Sequence, residues 1–167
     1  QSQEIGGSFN QNFWVEDYAQ GLEFPWAMAW LPNGSLLVTE RLGRVKLISK
    51  DGEISELQGV PEVLTASPFD GLLDIKIDPD FNSNSQIYLT YTTGTASART
   101  GIVYKAKLSE NKLVDGREIF KTFPPAPTGG PNITRIQFLP DKSMLVAVGS
   151  SGNPGSGMVQ RLDGNIG

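Results

Sequence analysis

Apolar and polar positions alternate along this chain in short runs, and one arrangement of them occurs three times. A strand-like run leads into a turn built around proline, and a second strand-like run follows. The copies are Met28-Ala-Trp-Leu-Pro-Asn-Gly-Ser-Leu-Leu-Val-Thr39, Ile75-Lys-Ile-Asp-Pro-Asp-Phe-Asn-Ser-Asn-Ser-Gln-Ile-Tyr-Leu-Thr-Tyr91 and Ile136-Gln-Phe-Leu-Pro-Asp-Lys-Ser-Met-Leu-Val-Ala-Val148. A recurrence at intervals of roughly 50 residues is the period of a multi-strand unit, not of a single hairpin.

Reading outward from each proline predicts four antiparallel strands per unit. The first unit holds Ala27–Leu31, Ser35–Thr39, Arg44–Ser49 and Ile54–Gln58. The second holds Leu73–Ile77, Gln86–Tyr91, Gly101–Leu108 and Arg117–Thr122, and the third begins with Arg135–Phe138 and Met144–Val148. Pro-Asn-Gly at 32–34 and Lys-Asp-Gly at 50–52 supply the fixed and the positive φ that tight hairpins need. A further strand at Asn12–Asp17 has no unit of its own and is expected to close against another segment. Four-stranded antiparallel units at this period are the blades of a β-propeller; strands of a sandwich do not repeat a whole strand-turn-strand phrase. The expectation is an all-β partial propeller with units near 22–59, 70–123 and 130–167, about two and a half blades. Open blade edges call for a second chain or further blades.

Composition supports this and removes several chemistries. Nineteen Gly and eleven Pro suit a turn-rich β fold, and helix is expected to be scarce. The net charge of −4 comes without a run of either sign, which speaks against a nucleic-acid groove, and no apolar stretch is long enough to span a bilayer. Neither cysteine nor histidine is present. Disulfides, thiolate metal sites, the commonest general base and every Ser/His or Cys/His pair are therefore absent. The start at Gln1-Ser-Gln reads as a mature end left by processing, so a secreted or periplasmic location is expected.

Strand alternation sorts the connections onto two faces. The turns at Pro32, Pro79 and Pro140 fall on one. Leu22–Trp26, Glu40–Gly43, Thr65–Gly71, Thr92–Thr100, Pro124–Thr134 and Gly149–Gly157 fall on the other, where a small-molecule ligand is expected. On that face Arg41 is suited to a carboxylate, or else Glu40-Arg41 forms an ion pair that pins neighbouring blades. Asp70 and Asp74 offer a base or a metal oxygen, or act as turn residues. Trp26 and Phe69 offer aromatic faces to a planar cofactor or a sugar. The run Asp78-Pro-Asp80-Phe-Asn-Ser-Asn84 has the look of a calcium loop but lacks its glycine and terminal glutamate.

The linked phrases Glu23-Phe-Pro-Trp-Ala-Met-Ala-Trp-Leu-Pro-Asn-Gly-Ser-Leu-Leu-Val-Thr-Glu-Arg-Leu-Gly-Arg44 and Asp70-Gly-Leu-Leu-Asp-Ile-Lys-Ile-Asp-Pro-Asp-Phe81 resemble the soluble glucose/sorbosone dehydrogenase family of quinoprotein sugar dehydrogenases. Gly129-Gly130, Arg135-Ile-Gln-Phe and Pro140-Asp141 continue the likeness. The resemblance implies a six-bladed propeller, pyrroloquinoline quinone (PQQ), calcium, and oxidation of an aldose at its anomeric carbon. It departs at two places. A glutamine expected before Gly71-Leu-Leu is replaced by Pro68-Phe-Asp70, and the histidine base expected just after Gly129-Gly130 is replaced by Pro131-Asn132. The site expected on this basis has Asp70 as base, Arg41, Phe69 and Asn132 at the cofactor, Trp26 at the substrate, and no metal ligand assigned within the chain. The alternative is a propeller of the same family that has lost the histidine and runs another reaction or binds a ligand without redox chemistry.

Overall fold

The computed structural model describes residues 3–6, 12–123, 125–126 and 133–149. Among these residues twelve strands and one short helix follow in the order β1 (Gln3–Gly6), β2 (Asn12–Val15), β3 (Pro25–Trp30), β4 (Leu36–Glu40), β5 (Arg44–Ile48), β6 (Ile54–Glu56), β7 (Leu72–Ile77), α1 (Phe81–Asn84), β8 (Gln86–Thr95), β9 (Ala98–Ser109), β10 (Lys112–Lys121), β11 (Ile133–Phe138) and β12 (Met144–Val148). Strands β3 to β6 form one antiparallel sheet in sequence order, and β7 to β10 form a second. Strands β11 and β12 pair as the start of a third. These are two blades and the first hairpin of another. Among the described residues no helix is long and apolar enough to cross a membrane.

The alternation of β3 explains how the first blade is packed. Ala27 and Ala29 turn toward the second blade and, with Leu37, Val45, Ile75, Ile87 and Leu89, build the main core between the two sheets. Trp26, Met28 and Trp30 turn the other way and are exposed. Behind them Leu36, Val38 and Ile48 are closed over in part by Ala19 and Leu22. Strand β4 is buried throughout, because it lies inside the sheet with apolar groups on both faces.

Buried polar groups join successive blades. Thr39 Oγ1 donates to the Leu73 carbonyl across the first junction at 2.7 Å. At the second junction the Asp74 carboxylate accepts the backbone N–H of Ile136 at 2.7 Å and that of Ile75 at 3.0 Å. The first and third proline turns have the same construction. Asn33 and Asp141 each accept the N–H two residues on, and the left-handed position is taken by Gly34 in one and Lys142 in the other.

Several boundaries differ from the sequence reading. Strands β8 and β9 run past their expected ends and pair as far as Thr95↔Ala98, and β10 is longer because left-handed Glu110 closes a tight hairpin and a bulge at Asp115 and Gly116 absorbs a residue within the ladder. Strand β2 pairs with β1 in a hairpin of its own. The Asp78–Asn84 run folds into the single turn of α1. There Asp78 accepts hydrogen bonds from Asp80 N–H, Asn84 and Tyr88, so its oxygens serve the turn.

Candidate functional site

The ladders define two ends of the blades. Pairs Pro25↔Glu40, Leu72↔Tyr91 and Ile133↔Val148 mark one end, and Trp30↔Leu36, Ile77↔Ile87 and Phe138↔Met144 the other. The proline turns occupy the second end, where Lys142 and Asp80 pair between blades at 2.6 Å. Arg41, Phe69 and Asp70 are at the first.

Arg41 ties three loops together there. Its N–H donates to the Phe24 carbonyl at 3.0 Å, and its own carbonyl accepts Leu72 N–H at 2.9 Å. Its Nη1 donates to the carbonyls of Ser67 and Asp70, each at 3.0 Å, and the guanidinium carbon stands 5.4 Å from the centre of the Phe24 ring. Among the described residues Nε and Nη2 have no hydrogen-bond partner. The approach of Gly71 to Arg41 is too close for a side chain: a Cβ there would lie 2.1 Å from the Arg41 carbonyl oxygen, at φ +133°.

A cleft of about 410 Å³ opens beside this guanidinium, walled by Phe24, Pro25, Trp26, Arg41 and Pro68. Trp26 is 42% exposed and Phe24 62%. Phe24 also holds φ +48°, a conformation that costs an aromatic residue about 1–3 kcal/mol and is concentrated at ligand sites. Phe69 is exposed on the neighbouring loop. This leaves an aromatic, largely apolar wall with one fixed cation.

Asp70 is not on that wall. Its carboxylate is 1% exposed, with its two oxygens 3.0 and 3.1 Å from Arg99 Nε. The carboxylate expected as a base is thus buried in a charge-assisted pair and does not face the cleft. Asp74 is likewise committed, to the interblade contact with Ile136. Glu40 does not pair with Arg41 or pin neighbouring blades. It is buried within the first blade, accepting Glu23 N–H at 2.6 Å and Arg44 Nε at 2.7 Å. Pro131 and Asn132 lie outside the described residues. Among the described residues no group of three or more acidic residues is gathered in a way that could hold a metal ion.

Two residues of this site escaped the sequence reading. Phe24 precedes a proline, a position that ordinarily favours extended backbone, and nothing in the sequence signals its positive φ. Arg99 lies near the start of β9, 29 positions from its partner Asp70, and strand alternation carries no information about which loop a strand residue's side chain reaches.

Successive four-stranded antiparallel sheets, packed blade against blade, define the class as a β-propeller. The sequence model of the family described as Glucose / Sorbosone dehydrogenase matches residues 22–167, and the chain belongs to that family. The chain is 31% identical over 159 residues to the aldose sugar dehydrogenase YliI of Escherichia coli K12, covering 91% of this chain and 42% of that protein. It is 41% identical over 143 residues to an uncharacterized protein of Synechocystis, covering 80% of this chain and 34% of that one. The chain thus spans less than half the length of these curated relatives. Among solved structures, it superposes on the PQQ-bound aldose sugar dehydrogenase of Streptomyces coelicolor with a TM-score of 0.74 and 27% identity, covering 96% of this chain and 45% of that one. A crystal structure of a glucose dehydrogenase matches with a TM-score of 0.73 and 31% identity, over 79% of this chain and 40% of that one.

Proposed function

We propose that this chain supplies one wall of the PQQ-binding mouth of an aldose dehydrogenase. The observation that carries the proposal is the Arg41 guanidinium, fixed by two carbonyls at the edge of an aromatic cleft in a family whose solved relatives include a PQQ-bound sugar dehydrogenase. PQQ is a planar quinone that carries carboxylates. The Nε and Nη2 of Arg41, without a partner among the described residues, suit a carboxylate fork, and the faces of Phe24, Trp26 and Phe69 suit a flat ring or the apolar face of a sugar. The residues present therefore fit one edge of the cofactor. When bound, the quinone would take up the electrons removed from the anomeric carbon of the aldose.

The part of this chain is to bind and to orient. Arg41 holds a carboxylate, Trp26 and Phe24 exclude water from one side of the cleft, and Pro68 keeps the loop edge rigid and free of an N–H. Proton abstraction is not assigned to Asp70, whose oxygens belong to Arg99. The described residues do not fit a calcium ion, so no step is routed through one.

The missing histidine and the occupied Asp70 favour one second reading, ligand binding at the same mouth without redox turnover. Titrating PQQ with calcium into the complete natural polypeptide, followed by an aldose oxidation assay, decides between them. Stoichiometric binding with turnover is the expected result. Binding without turnover selects the second reading, and an absence of binding overturns the assignment of the cleft.

A further inference from the structure

Arg99 does not line the cleft, yet the loop on which the cleft is built hangs from it. Its Nε donates to both oxygens of Asp70 at 3.0 and 3.1 Å, and its Nη1 donates to the Ala96 carbonyl of its own hairpin. Its backbone N–H and carbonyl pair in both directions with Ala126 at 2.8 Å. Three segments of the mouth thus meet on one residue that is 7% exposed: the loop at 67–71, the hairpin at 95–98 and the segment at 125–126.

The connection to the cleft is short. The carbonyl of Asp70, whose side chain Arg99 holds, is one of the two acceptors that fix Arg41 Nη1. The other acceptor, the Ser67 carbonyl, belongs to the same loop and also takes the N–H of Asp70 at 3.2 Å. Backbone bonding contributes a second tether, since Gly71 accepts Thr92 N–H at 3.0 Å. Among the described residues, Arg99 is the one charged side chain besides Arg41 that reaches this loop from outside it. A guanidinium held by two carbonyls of one loop can be no better placed than the loop itself.

We infer that Arg99 is a positioning residue, acting through Asp70 to set where the Arg41 guanidinium stands in the cleft. The choice of PQQ as probe rests on the proposed function. The placement of Arg41 does not, so the two are tested separately.

Removing Arg99 outright leaves a buried carboxylate without its cation, and such a variant can fail to fold. The informative variants are therefore Arg99→Lys, which keeps the charge but not the guanidinium, and the paired Asp70→Asn/Arg99→Gln, which keeps a hydrogen bond without charge. In the complete natural polypeptide each is compared with wild type by circular dichroism, by PQQ titration, and by the nitrogen-15 NMR signal of the Arg41 Nε–H without ligand. The inference expects native folding, PQQ affinity lowered about ten- to a hundredfold, and an Arg41 signal that shifts and exchanges faster with solvent. Adding Arg41→Ala to Arg99→Lys should cost less than it costs in wild type, because the two act in series. A purely structural Arg99 would lower the melting temperature while leaving the affinity of the folded protein and the Arg41 signal unchanged, and that result overturns the inference. If wild type itself does not bind PQQ, the functional reading fails and the Arg41 signal alone decides: movement in both variants supports positioning, and no movement refutes it.

Discussion

Single buried side chains hold the blades in place at the residue scale. Asp74 accepts one backbone N–H from its own strand and one from the next blade, and both donors sit where water cannot replace it. Asp74→Ala should therefore cost about 3 kcal/mol, from two unsatisfied donors, whereas Asp74→Asn, which keeps one acceptor oxygen, should cost about half as much. Urea midpoints test this, and equal midpoints for Asp74→Ala and wild type would contradict it. Tyr88 gives a second residue-scale test. Burial, and then its hydrogen bond to Asp78, push its phenol up from 10.0 to about 12. Tyr91 is also raised to about 12, by burial and then by the charge of Glu118. A raised folded-state value favours the protonated form, so the stabilisation is whole below pH 10 and is lost as pH climbs toward 12. Two phenolate absorbance steps near pH 12 and a urea midpoint that falls between pH 10 and 12 are expected; ionisation of both groups near pH 10 would contradict the account. On the acid side burial would raise Asp78, but hydrogen bonds from Asn84, Asp80 N–H and Tyr88 outweigh it and leave it lowered. Its contribution is therefore present above the ordinary carboxylate range and is lost only as pH falls through that lowered value.

Elements of this fold could be read from the chain where local chemistry determined them. Alternation and the proline turns located all four strands of the first blade to within about two residues, since each strand is short and bounded by a turn residue that permits no continuation. The same reading shortened β10, because a bulge preserves the apolar pattern on either side while shifting its phase, and it shortened β8 and β9 where their polar ends continue the ladder to Thr95↔Ala98. It missed β1, which finds its partner only through the hairpin to β2. Gly71 is where element geometry and site geometry meet. It immediately precedes β7 at a φ that a side chain resists, against the Arg41 carbonyl that receives the N–H of Leu72. Gly71→Ala should destabilise the protein by at least about 2 kcal/mol, through strain and a forced shift of Arg41. A urea midpoint equal to that of wild type would show that the loop yields freely, and the fixed position of Arg41 would then have no backbone support.

On the scale of the whole molecule, the first blade turns Trp26, Met28 and Trp30 outward from the core while Tyr18 packs edge-on against Trp30. An apolar sheet face of this kind invites association. The 167-residue chain on its own should bind an environment-sensitive apolar dye and self-associate by light scattering, and Met28→Thr with Trp30→Thr should reduce both. A compact monomer that ignores the dye would contradict this. The mouth was legible in part at this scale. Arg41, Phe69 and Trp26 could be assigned to one end because strand direction fixes which loops share a face. The burial of Asp70 could not, because its carboxylate is paired with an arginine of β9 and only the assembled fold shows that partner. The central claim is that the end of the blades bearing Arg41 receives the quinone. The most direct test is a crystal structure of the complete natural polypeptide soaked with PQQ. The account predicts difference density for a planar ring at the cleft of Phe24, Trp26 and Pro68, with a cofactor carboxylate within hydrogen-bonding distance of Arg41. Density for the quinone at the opposite end, beside the turns of Pro32, Pro79 and Pro140, or a bound quinone that Arg41 does not touch, would contradict it.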